Sequence, residues 1–431
     1  MNSSTPYRIP GLELIDHTFE VPLIHSDPGG RKIEVFVREV CDLDPKSKEK
    51  PFLIFLQGGP GFRAPLPIRK EGWLKRALTE FRVLMYDTRG NGLSTPVDYQ
   101  TLASEGDAQA QADYLKHFRQ DNIVRDAELI RGQMSPDTPW STIGQSYGGW
   151  CTMTYLSLHP EGLKECFIFG GVPGLDRTAR EIYEGTFPFV EERNRQYFDK
   201  FPMDKARLVK LAAHLQENEV RFPNGDRVTP QLVQLLGLKF GFAHTAEEIH
   251  FLLEEAFVQV GDDEVVSHTF KIGLQSALRF DTNPIFAILH EAIYAQGSAS
   301  GWACGEVQKE NYPHFDDFDD FLFYGEMVFS WMFDEISELK GMKEAADILA
   351  AYEDWPALYD KEVLSQNTVP TACAVYANDM FVNAKFSRET IESVPNMKAW
   401  YTSEYEHCGL RVGGEKIFSR LIDLTRGEVE R

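Results

Sequence analysis

The stretch from Trp140 to Leu156, W-S-T-I-G-Q-S-Y-G-G-W-C-T-M-T-Y-L, places the strongest constraint on how this chain can fold. A short β-prone run, Trp140 to Ile143, leads into the motif G-Q-S-Y-G around Ser146, and an apolar helical pattern follows. A serine flanked by glycines between a strand and a helix is typical of a nucleophile elbow, a strained turn that requires small neighbours. An ordinary glycine-rich turn can have the same letters, so the catalytic partners of Ser146 decide between the two interpretations.

Buried strands alternate with helical segments on both sides of this stretch. Further apolar runs predict strands at Phe52–Leu56, Arg82–Tyr86, Cys166–Phe169, Thr371–Tyr376 and Lys398–Thr402. Helical spacing of apolar residues over Asp121–Met134 predicts a crossover helix before the elbow strand. This alternation predicts a doubly wound α/β fold, with a mostly parallel sheet and helices on both faces.

The pattern becomes helical between residues 176 and 355, and no strand is predicted there. The predicted helices are Ala206–Leu215, Pro230–Leu238, Glu247–Phe257, Pro284–Ala295 and Phe321–Glu335. We therefore expect a core of residues 1–175 and 356–431, and a large helical cap of residues 176–355 inserted after the strand that follows the elbow. Such a cap would cover the carboxyl edge of the sheet, where open α/β folds bind ligands.

Charge and cysteine content exclude several classes of protein. The 431 residues include 66 acidic and 44 basic residues, a formal net charge of −22, which argues against nucleic acid or an anionic membrane as a partner. The six cysteines lack metal-binding spacing, so we expect a reducing compartment rather than a disulfide framework. A polar N-terminus and the absence of a membrane-length apolar run predict a cytoplasmic protein.

A serine nucleophile needs a base that takes its proton and a carboxylate that orients the base. When the serine stands on an elbow of this kind, the acid and then the histidine follow on loops after late strands. Asp379 follows the strand that ends at Tyr376, and His407 lies in a loop between the last strand and a terminal helix. The sequence thus predicts a catalytic triad of Ser146, Asp379 and His407.

The turn G-G-P-G after the first buried strand leaves backbone N–H groups uncovered by side chains, as an oxyanion hole requires. We expect the N–H of Tyr147 and that of Gly58 or Gly59 to bind the oxyanion, although a plain turn would have the same composition. A pair between Asp87 and Arg89 is predicted to hold the next loop beside this turn.

Two cap carboxylates lie among apolar neighbours at helical spacing. Glu291 has Ala287 and Tyr294 one turn away, and Glu326 has Leu322 and Phe329 nearby. A carboxylate buried there requires a cation. That cation is either a lysine or arginine of the cap or the ammonium group of a substrate.

Several motifs together resemble one family. They are G-G-P-G, D-x-R-G-x-G-x-S at Asp87–Ser94, G-Q-S-Y-G-G, and the late Asp379 and His407. This set resembles the proline iminopeptidases (prolyl aminopeptidases), serine peptidases of the α/β-hydrolase fold. The cap length and the segments L-H-E-A-I-Y-A-Q-G, G-E-M-V-F-S-W-M-F and E-Y-E-H-C-G-L-R are similar to its larger, long-capped subgroup.

The resemblance implies release of an N-terminal residue, preferentially proline, from small peptides through an acyl-enzyme, without cofactor or metal. It implies that cap glutamates, here Glu291 and Glu326, hold the substrate amino group. It also implies an aromatic proline pocket, for which Tyr147 and Trp302 are candidates. Gln57 departs from the family, many members of which have histidine there; because backbone amides bind the oxyanion, we expect little loss of activity.

Two other functions remain to be weighed. An esterase or amidase of the same fold would use the same triad, but an uncharged ester has no need of two cap carboxylates. A non-catalytic binding protein could retain the fold, and the complete triad argues against it. Epoxide hydrolase or haloalkane dehalogenase chemistry needs an aspartate nucleophile, which Ser146 excludes.

Overall fold

A computed structural model describes residues 1–430, and one ten-stranded sheet organises this part of the chain. The strands, in chain order, are β1 (Asn2–Ser3), β2 (Tyr7–Ile9), β3 (Leu12–Pro22), β4 (Lys32–Asp42), β5 (Phe52–Leu56), β6 (Arg82–Asp87), β7 (Trp140–Gln145), β8 (Leu163–Phe169), β9 (Phe257–Val260), β10 (Asp263–Val266), β11 (Thr371–Tyr376) and β12 (Met397–Thr402). All strands except β9 and β10 belong to this sheet. The strands predicted for the core are present, with ends shifted by up to three residues.

The order across the sheet is β1-β3-β4-β6-β5-β7-β8-β11-β12, with β2 paired to β3. Every pair from β6 to β12 in this order is parallel, whereas β3 pairs antiparallel with β4, and β4 with β6. The prediction of a mostly parallel sheet is confirmed. Its central strands β5, β7, β8 and β11 bring their carboxyl ends to one edge, where the elbow and the loop after β11 meet.

Helices cover both faces of the sheet and form most of the segment between β8 and β11. They are α1 (Gly72–Ala77), α2 (Tyr99–Ala103), α3 (Ala108–Leu115), α4 (Gln120–Met134), α5 (Tyr147–Leu158), α6 (Ala179–Lys200), α7 (Pro202–Glu217), α8 (Pro230–Gln234), α9 (Thr245–Glu254), α10 (His268–Ala277), α11 (Ile285–Ile288), α12 (Ala303–Asn311), α13 (Met332–Glu335), α14 (Ser337–Lys340), α15 (Lys343–Ala350), α16 (Lys361–Ser365), α17 (Ala384–Ser393) and α18 (Gly409–Arg426). Helices α1 and α18 pack on one face, and α4 and α5 on the other. None of the helices in residues 1–430 is both long and apolar enough to cross a membrane.

Strand β5 shows why the core strands are apolar throughout. Successive side chains of a strand point to opposite faces, so a strand covered on both sides needs apolar residues at every position. Leu53 and Phe55 contribute to the core under α1 and α18, whereas Ile54 and Leu56 contribute to the core under α4 and α5. All five residues of F-L-I-F-L are buried.

The cap lies between β8 and β11 and is mostly helical, but it departs from the prediction at several places. β9 and β10 form an antiparallel hairpin where no strand was predicted. The predicted helix Pro284–Ala295 is broken into α11 and a 3₁₀ turn, Ala292–Tyr294.

The helix predicted over Phe321–Glu335 is wrong for most of its length, because residues 321–331 are irregular and only α13 follows. Other parts of the cap satisfy its backbone groups: the N–H of Phe323 donates to Asn194 Oδ1, and the N–H of Tyr324 donates to the carbonyl of Gln234. Aromatic and aliphatic side chains of this segment are buried on several sides, so their spacing does not mark one helix face.

Candidate active site

Ser146 occupies the strained turn between β7 and α5. Its backbone has φ 55° and ψ −126°, a conformation that a residue with a side chain rarely adopts. Such backbone strain costs about 1–3 kcal/mol and persists where the surrounding structure holds it. The geometry is that of the nucleophile elbow predicted from the sequence.

Glycines around the elbow allow strand, helix and neighbouring loops to approach closely. A Cβ atom on Gly148 would lie 1.9 Å from the carbonyl oxygen of Leu56, and one on Gly149 would lie 2.0 Å from that of Gly171. A Cβ on Gly144 would lie 2.4 Å from the carbonyl oxygen of Gly148. Each neighbour is backbone, which cannot move aside as a flexible side chain could.

Asp379 and His407 meet in the structure as the predicted triad requires. His407 Nδ1 lies 2.7 Å from Asp379 Oδ2, and both side chains are buried. Asp379 Oδ1 accepts hydrogen bonds from the N–H groups of Phe381 and Val382, at 2.8 and 3.1 Å. The second ring nitrogen, Nε2, lies 3.5 Å from the amide nitrogen of Gln145, the residue before Ser146. The carboxylate therefore holds the ring through Nδ1, while Nε2 lies beside the residue that precedes Ser146.

The electrostatics of this pair favour the imidazolium form of His407. Burial opposes protonation, but the negative charge and hydrogen bond of Asp379 outweigh it and raise the pKa of His407 above its usual value. The charge of Glu326 raises this pKa further, and that of Arg411 lowers it. A histidine of this kind stabilises the proton that a serine releases on attack.

The predicted oxyanion turn lies against the elbow. A Cβ on Gly58 would lie 3.0 Å from Ser146 Cβ, and Gly59 has φ +125°, in the region that favours glycine. The N–H of Tyr147 belongs to the first residue of α5, and its hydroxyl donates to Gln120 Oε1 at 3.1 Å. The Tyr147 ring is thus directed toward α4, and it does not line the cavity beside Ser146.

The predicted ion pair between Asp87 and Arg89 is wrong. Arg89 is fully buried and bonds Asp126 of α4 through two nitrogens, at 2.7 and 2.6 Å. The carboxylate of Asp87 instead accepts the N–H groups of Ala64 and Leu93, both at 2.9 Å. Asp87 therefore ties the loop after β6 to the segment behind the G-G-P-G turn without a salt bridge to Arg89.

A cavity of about 270 Å³ contains the predicted catalytic groups. Ser146, His407, Gly58, Gly59 and Glu326 all line it. Its apolar walls are Phe62, Leu238, Phe242, Phe280 and Phe286. These residues were not predicted from the sequence; Phe62 follows the G-G-P-G turn directly, and that position was the available signal.

Glu326 has no hydrogen-bond or ion-pair partner within residues 1–430. Burial raises its pKa to about 7, with the charge of His407 lowering it and that of Asp379 raising it. His290, close to the Glu326 backbone, supplies no counter-charge, because burial lowers its pKa to about 4 and keeps it neutral at pH 7. Glu326 is a largely buried acid that interacts electrostatically with His407 and lacks a cation.

Glu291 is bonded in a different way and does not line the cavity. Its two carboxylate oxygens accept the N–H groups of Ala303 and Cys304, at 3.0 and 2.9 Å, at the start of α12. Burial nevertheless raises its pKa to about 7. The expected cation is replaced by the unpaired N–H groups of a helix N-terminus, which favour negative charge.

Trp302 is not brought into the cavity either. Its indole N–H donates to Asp347 Oδ1 at 2.9 Å, and its ring packs against Phe333, with centroids 5.5 Å apart. These contacts hold the ring beside α13 and α15. The aromatic side chains of the cavity are instead phenylalanines from the G-G-P-G loop and the cap.

The chain is similar over its whole length to known proteins. A family model described as the alpha/beta hydrolase fold matches residues 51–236. A proline iminopeptidase of Aeromonas sobria is 49% identical over 429 residues, which cover 99% of this chain and 100% of the relative. Proline iminopeptidase aneH of Aspergillus aculeatus is 33% identical over 426 residues, which cover 96% and 93% of the two chains. The chain therefore belongs to the proline iminopeptidase family of α/β-hydrolases.

Proposed function

We propose that the protein is a serine aminopeptidase that releases N-terminal proline from short peptides through an acyl-enzyme. The observation that carries this proposal is the unpartnered carboxylate of Glu326 in the same cavity as Ser146 and His407. A carboxylate there suits a substrate with a free ammonium group. The names of the two full-length relatives support proline as the residue released.

In acylation, Ser146 Oγ attacks the carbonyl carbon of the first residue while His407 Nε2 takes the hydroxyl proton. Asp379, bonded to Nδ1, stabilises the imidazolium. The N–H of Tyr147 and that of Gly58 or Gly59 bind the oxyanion of the tetrahedral intermediate. When the intermediate collapses, the C–N bond breaks and His407 gives its proton to the departing amine of the shortened peptide.

In deacylation, a water molecule attacks the ester carbonyl and His407 takes one of its protons. The same N–H groups bind the second oxyanion. His407 then protonates Ser146 Oγ, the ester C–O bond breaks, and the free amino acid leaves. Water is the only co-reactant, and the chain's own residues move every proton.

Substrate choice would come from the cap. Glu326 would pair with the N-terminal ammonium, and the phenyl rings of Phe62, Phe242 and Phe286 would pack against the pyrrolidine ring. Glu291 would add a second negative charge near this binding position, because burial and the charges of both carboxylates raise the pKa of Tyr183, which is thus near both. A substrate with a blocked amine would lose the charge interaction.

The test is a set of initial rates on Pro-, Ala- and Leu-arylamides, acetyl-Pro-arylamide and a short-chain ester. We expect Pro-arylamide to be cleaved fastest and the acetylated form to be refused. Ser146→Ala should lower kcat at least about 10⁴-fold, because the nucleophile is lost. For a Glu326→Gln variant, Glu335→Gln is the matched control. Glu335 is another cap carboxylate whose pKa is raised by burial, and it lies outside the cavity.

Two results would contradict the proposal. Preference for the ester, with no effect of acetylation, would make the protein an esterase with the same triad. Failure of a fluorophosphonate to label Ser146 in folded protein would instead favour a non-catalytic binding protein. Labelling that Ser146→Ala abolishes would exclude that outcome.

A further inference from the structure

Arg411 is a charged cavity residue for which the proposed reaction gives no role. It lies in the first turn of α18, four residues after His407, and lines the cavity that contains Ser146. Its guanidinium carbon lies 5.6 Å from the centre of the Phe242 ring. Within residues 1–430 the guanidinium makes no hydrogen bond and no ion pair.

Arg411 is an exposed residue at the cavity, and no acid in the described part of the chain pairs with it although the chain has 66 acidic and 44 basic residues. A guanidinium offers five N–H donors in a planar fork that matches a carboxylate, so nearby acids usually occupy it. Arg279, at the same cavity, follows that rule through an ion pair with Asp281. No acid that the structure describes pairs with Arg411 in this way, and its charge lowers the pKa of His407.

The cavity thus carries one unpartnered acid, Glu326, and one unpartnered base, Arg411, which do not pair with each other. A short free peptide has the complementary charges, an ammonium at its first residue and a carboxylate at its last. Extended residues span at most about 3.3–3.6 Å each, so the two charges of a dipeptide or tripeptide lie within about 7–11 Å. A longer or amidated peptide would not place a carboxylate inside the cavity.

We propose that Arg411 binds the C-terminal carboxylate of a dipeptide or tripeptide whose N-terminal ammonium lies at Glu326. This inference rests on the proposed aminopeptidase function and adds a second specificity determinant to it. Stacking on Phe242 holds the guanidinium toward the cavity while its N–H edge stays free to bind the anion. Arg279 contributes less, because Asp281 already neutralises it.

The test compares Pro-Gly with Pro-Gly-NH₂, and Pro-Gly-Gly with Pro-Gly-Gly-NH₂, for the full-length protein. We expect wild type to favour each free acid over its amide about tenfold in kcat/KM, through KM, as one exposed charge-assisted contact would give. Arg411→Gln should bring this ratio close to one. Because the ratio is taken within one enzyme, changes in folding or in the pKa of His407 cancel.

Arg388→Gln is the matched control. Arg388 also stacks on a ring, Tyr401, at 4.4 Å, and it lies outside the cavity. This variant should retain the wild-type ratio. A ratio near one in wild type, or an unchanged ratio in Arg411→Gln, would overturn the inference.

Two further measurements distinguish the other ways in which the inference can fail. If kcat/KM is higher for Pro-Glu-NH₂ than for Pro-Gln-NH₂ while Pro-Gly and its amide have equal kcat/KM, Arg411 binds an acidic side chain. The assignment to the C-terminal carboxylate is then wrong. Cleavage of Pro-arylamide without any carboxylate preference would overturn this inference and leave the aminopeptidase function intact. If wild type labels with fluorophosphonate but does not cleave Pro-arylamide, both proposals fall.

Discussion

Two carboxylates act on His407 from opposite parts of the molecule. Asp379, on the loop after β11, accepts hydrogen bonds from His407, Phe381 and Val382. Glu326, on an irregular segment of the cap, accepts none, and burial raises its pKa to about 7. The core supplies an acid whose partners are already in place, whereas the cap supplies one whose partner must come from outside.

The two carboxylates would therefore have different tasks, one in the chemical step and the other in the choice of substrate. A carboxylate with fixed donors orients the catalytic base with no reorganisation during reaction. A buried carboxylate without donors is poorly stabilised until a cation arrives, and it therefore discriminates strongly between charged and uncharged ligands. The core would then determine that an acyl group is transferred, and the cap would determine which one.

Removing the core carboxylate tests the first half of this comparison. Asp379→Asn should lower kcat about 10⁴-fold on amide and ester substrates alike, because the amide fixes the wrong tautomer of His407. KM should change little. Steady-state kinetics with Pro-arylamide and with a short-chain ester would show it; a loss confined to Pro-arylamide would place Asp379 in substrate binding instead.

Removing the cap carboxylate tests the second half. Glu326→Gln should lower kcat/KM for Pro-arylamide about 10–100-fold, mainly through KM, as expected when one buried charge-assisted contact is lost. The rate on an uncharged ester should fall by much less. Equal losses on both substrates would mean that Glu326 serves the chemistry through His407 rather than the ammonium group.

The pH dependence should differ between the two carboxylates. Activity on Pro-arylamide requires ionised Glu326, with pKa about 7, and neutral His407, whose pKa is raised, so kcat/KM should increase as pH rises through about 7. In Glu326→Gln one titration disappears, and the pKa of His407 falls because a nearby negative charge is gone. The acidic limb of the profile of kcat/KM against pH should become shallower and move to lower pH. An unchanged limb would mean that Glu326 does not titrate in this range.

The stability of the folded chain should show the smallest effect. The pKa values of Glu326 and Glu291 are raised to about 7 from a usual 4.5, so the folded state binds protons more tightly than the unfolded chain. Their contribution to stability is complete below about pH 4.5 and is lost as pH rises through about 7. Glu326→Gln should therefore raise Tm relative to wild type at pH 8, and this difference should shrink at pH 5.

Glu291→Gln should lower the stability of the fold, whereas Glu326→Gln should raise it. The N–H groups of Ala303 and Cys304 bond different carboxylate oxygens, so an amide in the same orientation keeps one bond and turns its NH₂ toward the other N–H. The unfolding free energy should therefore fall by about 1–2 kcal/mol while KM changes little. The prediction is checked by measuring thermal unfolding and KM for Glu291→Gln and Glu326→Gln at one pH. A large rise in KM without a loss of stability would show that Glu291 contacts the ammonium directly.

The core was predictable because its sequence patterns are local, as in the apolar strands, or depend on the order of residues along the chain, as in Asp379 and His407. Apolar runs such as Phe52–Leu56 can be read without knowing their neighbours, since a strand buried on both faces is apolar at every position. Glycines around Ser146 report a close approach of backbones that no other residue allows. Asp379 and His407 follow late strands of a parallel sheet, which brings their loops to one edge.

The cap was less predictable because its residues are buried on several sides by elements distant in sequence. Periodicity predicted a helix around Glu326, but Asn194 and Gln234 satisfy the backbone of that segment, so no helix is needed. The apolar surroundings of Glu291 were correctly seen, whereas its partners, the first N–H groups of α12, belong to a helix whose start lies twelve residues later.

The sequence by itself determined the parallel sheet, the elbow at Ser146 and the order of the acid and the base, because the period of a strand and the size of glycine constrain the backbone wherever they occur. Only the tertiary structure decided which charges remain without a partner. Arg411 looks like many other charged residues in the sequence, and the apolar neighbours of Glu326 left open whether a lysine or arginine of the cap pairs with it. The availability of both groups follows from distances to every neighbouring element. Pairing is a property of three-dimensional packing, because an ion pair forms only between groups that the fold brings within about 4 Å.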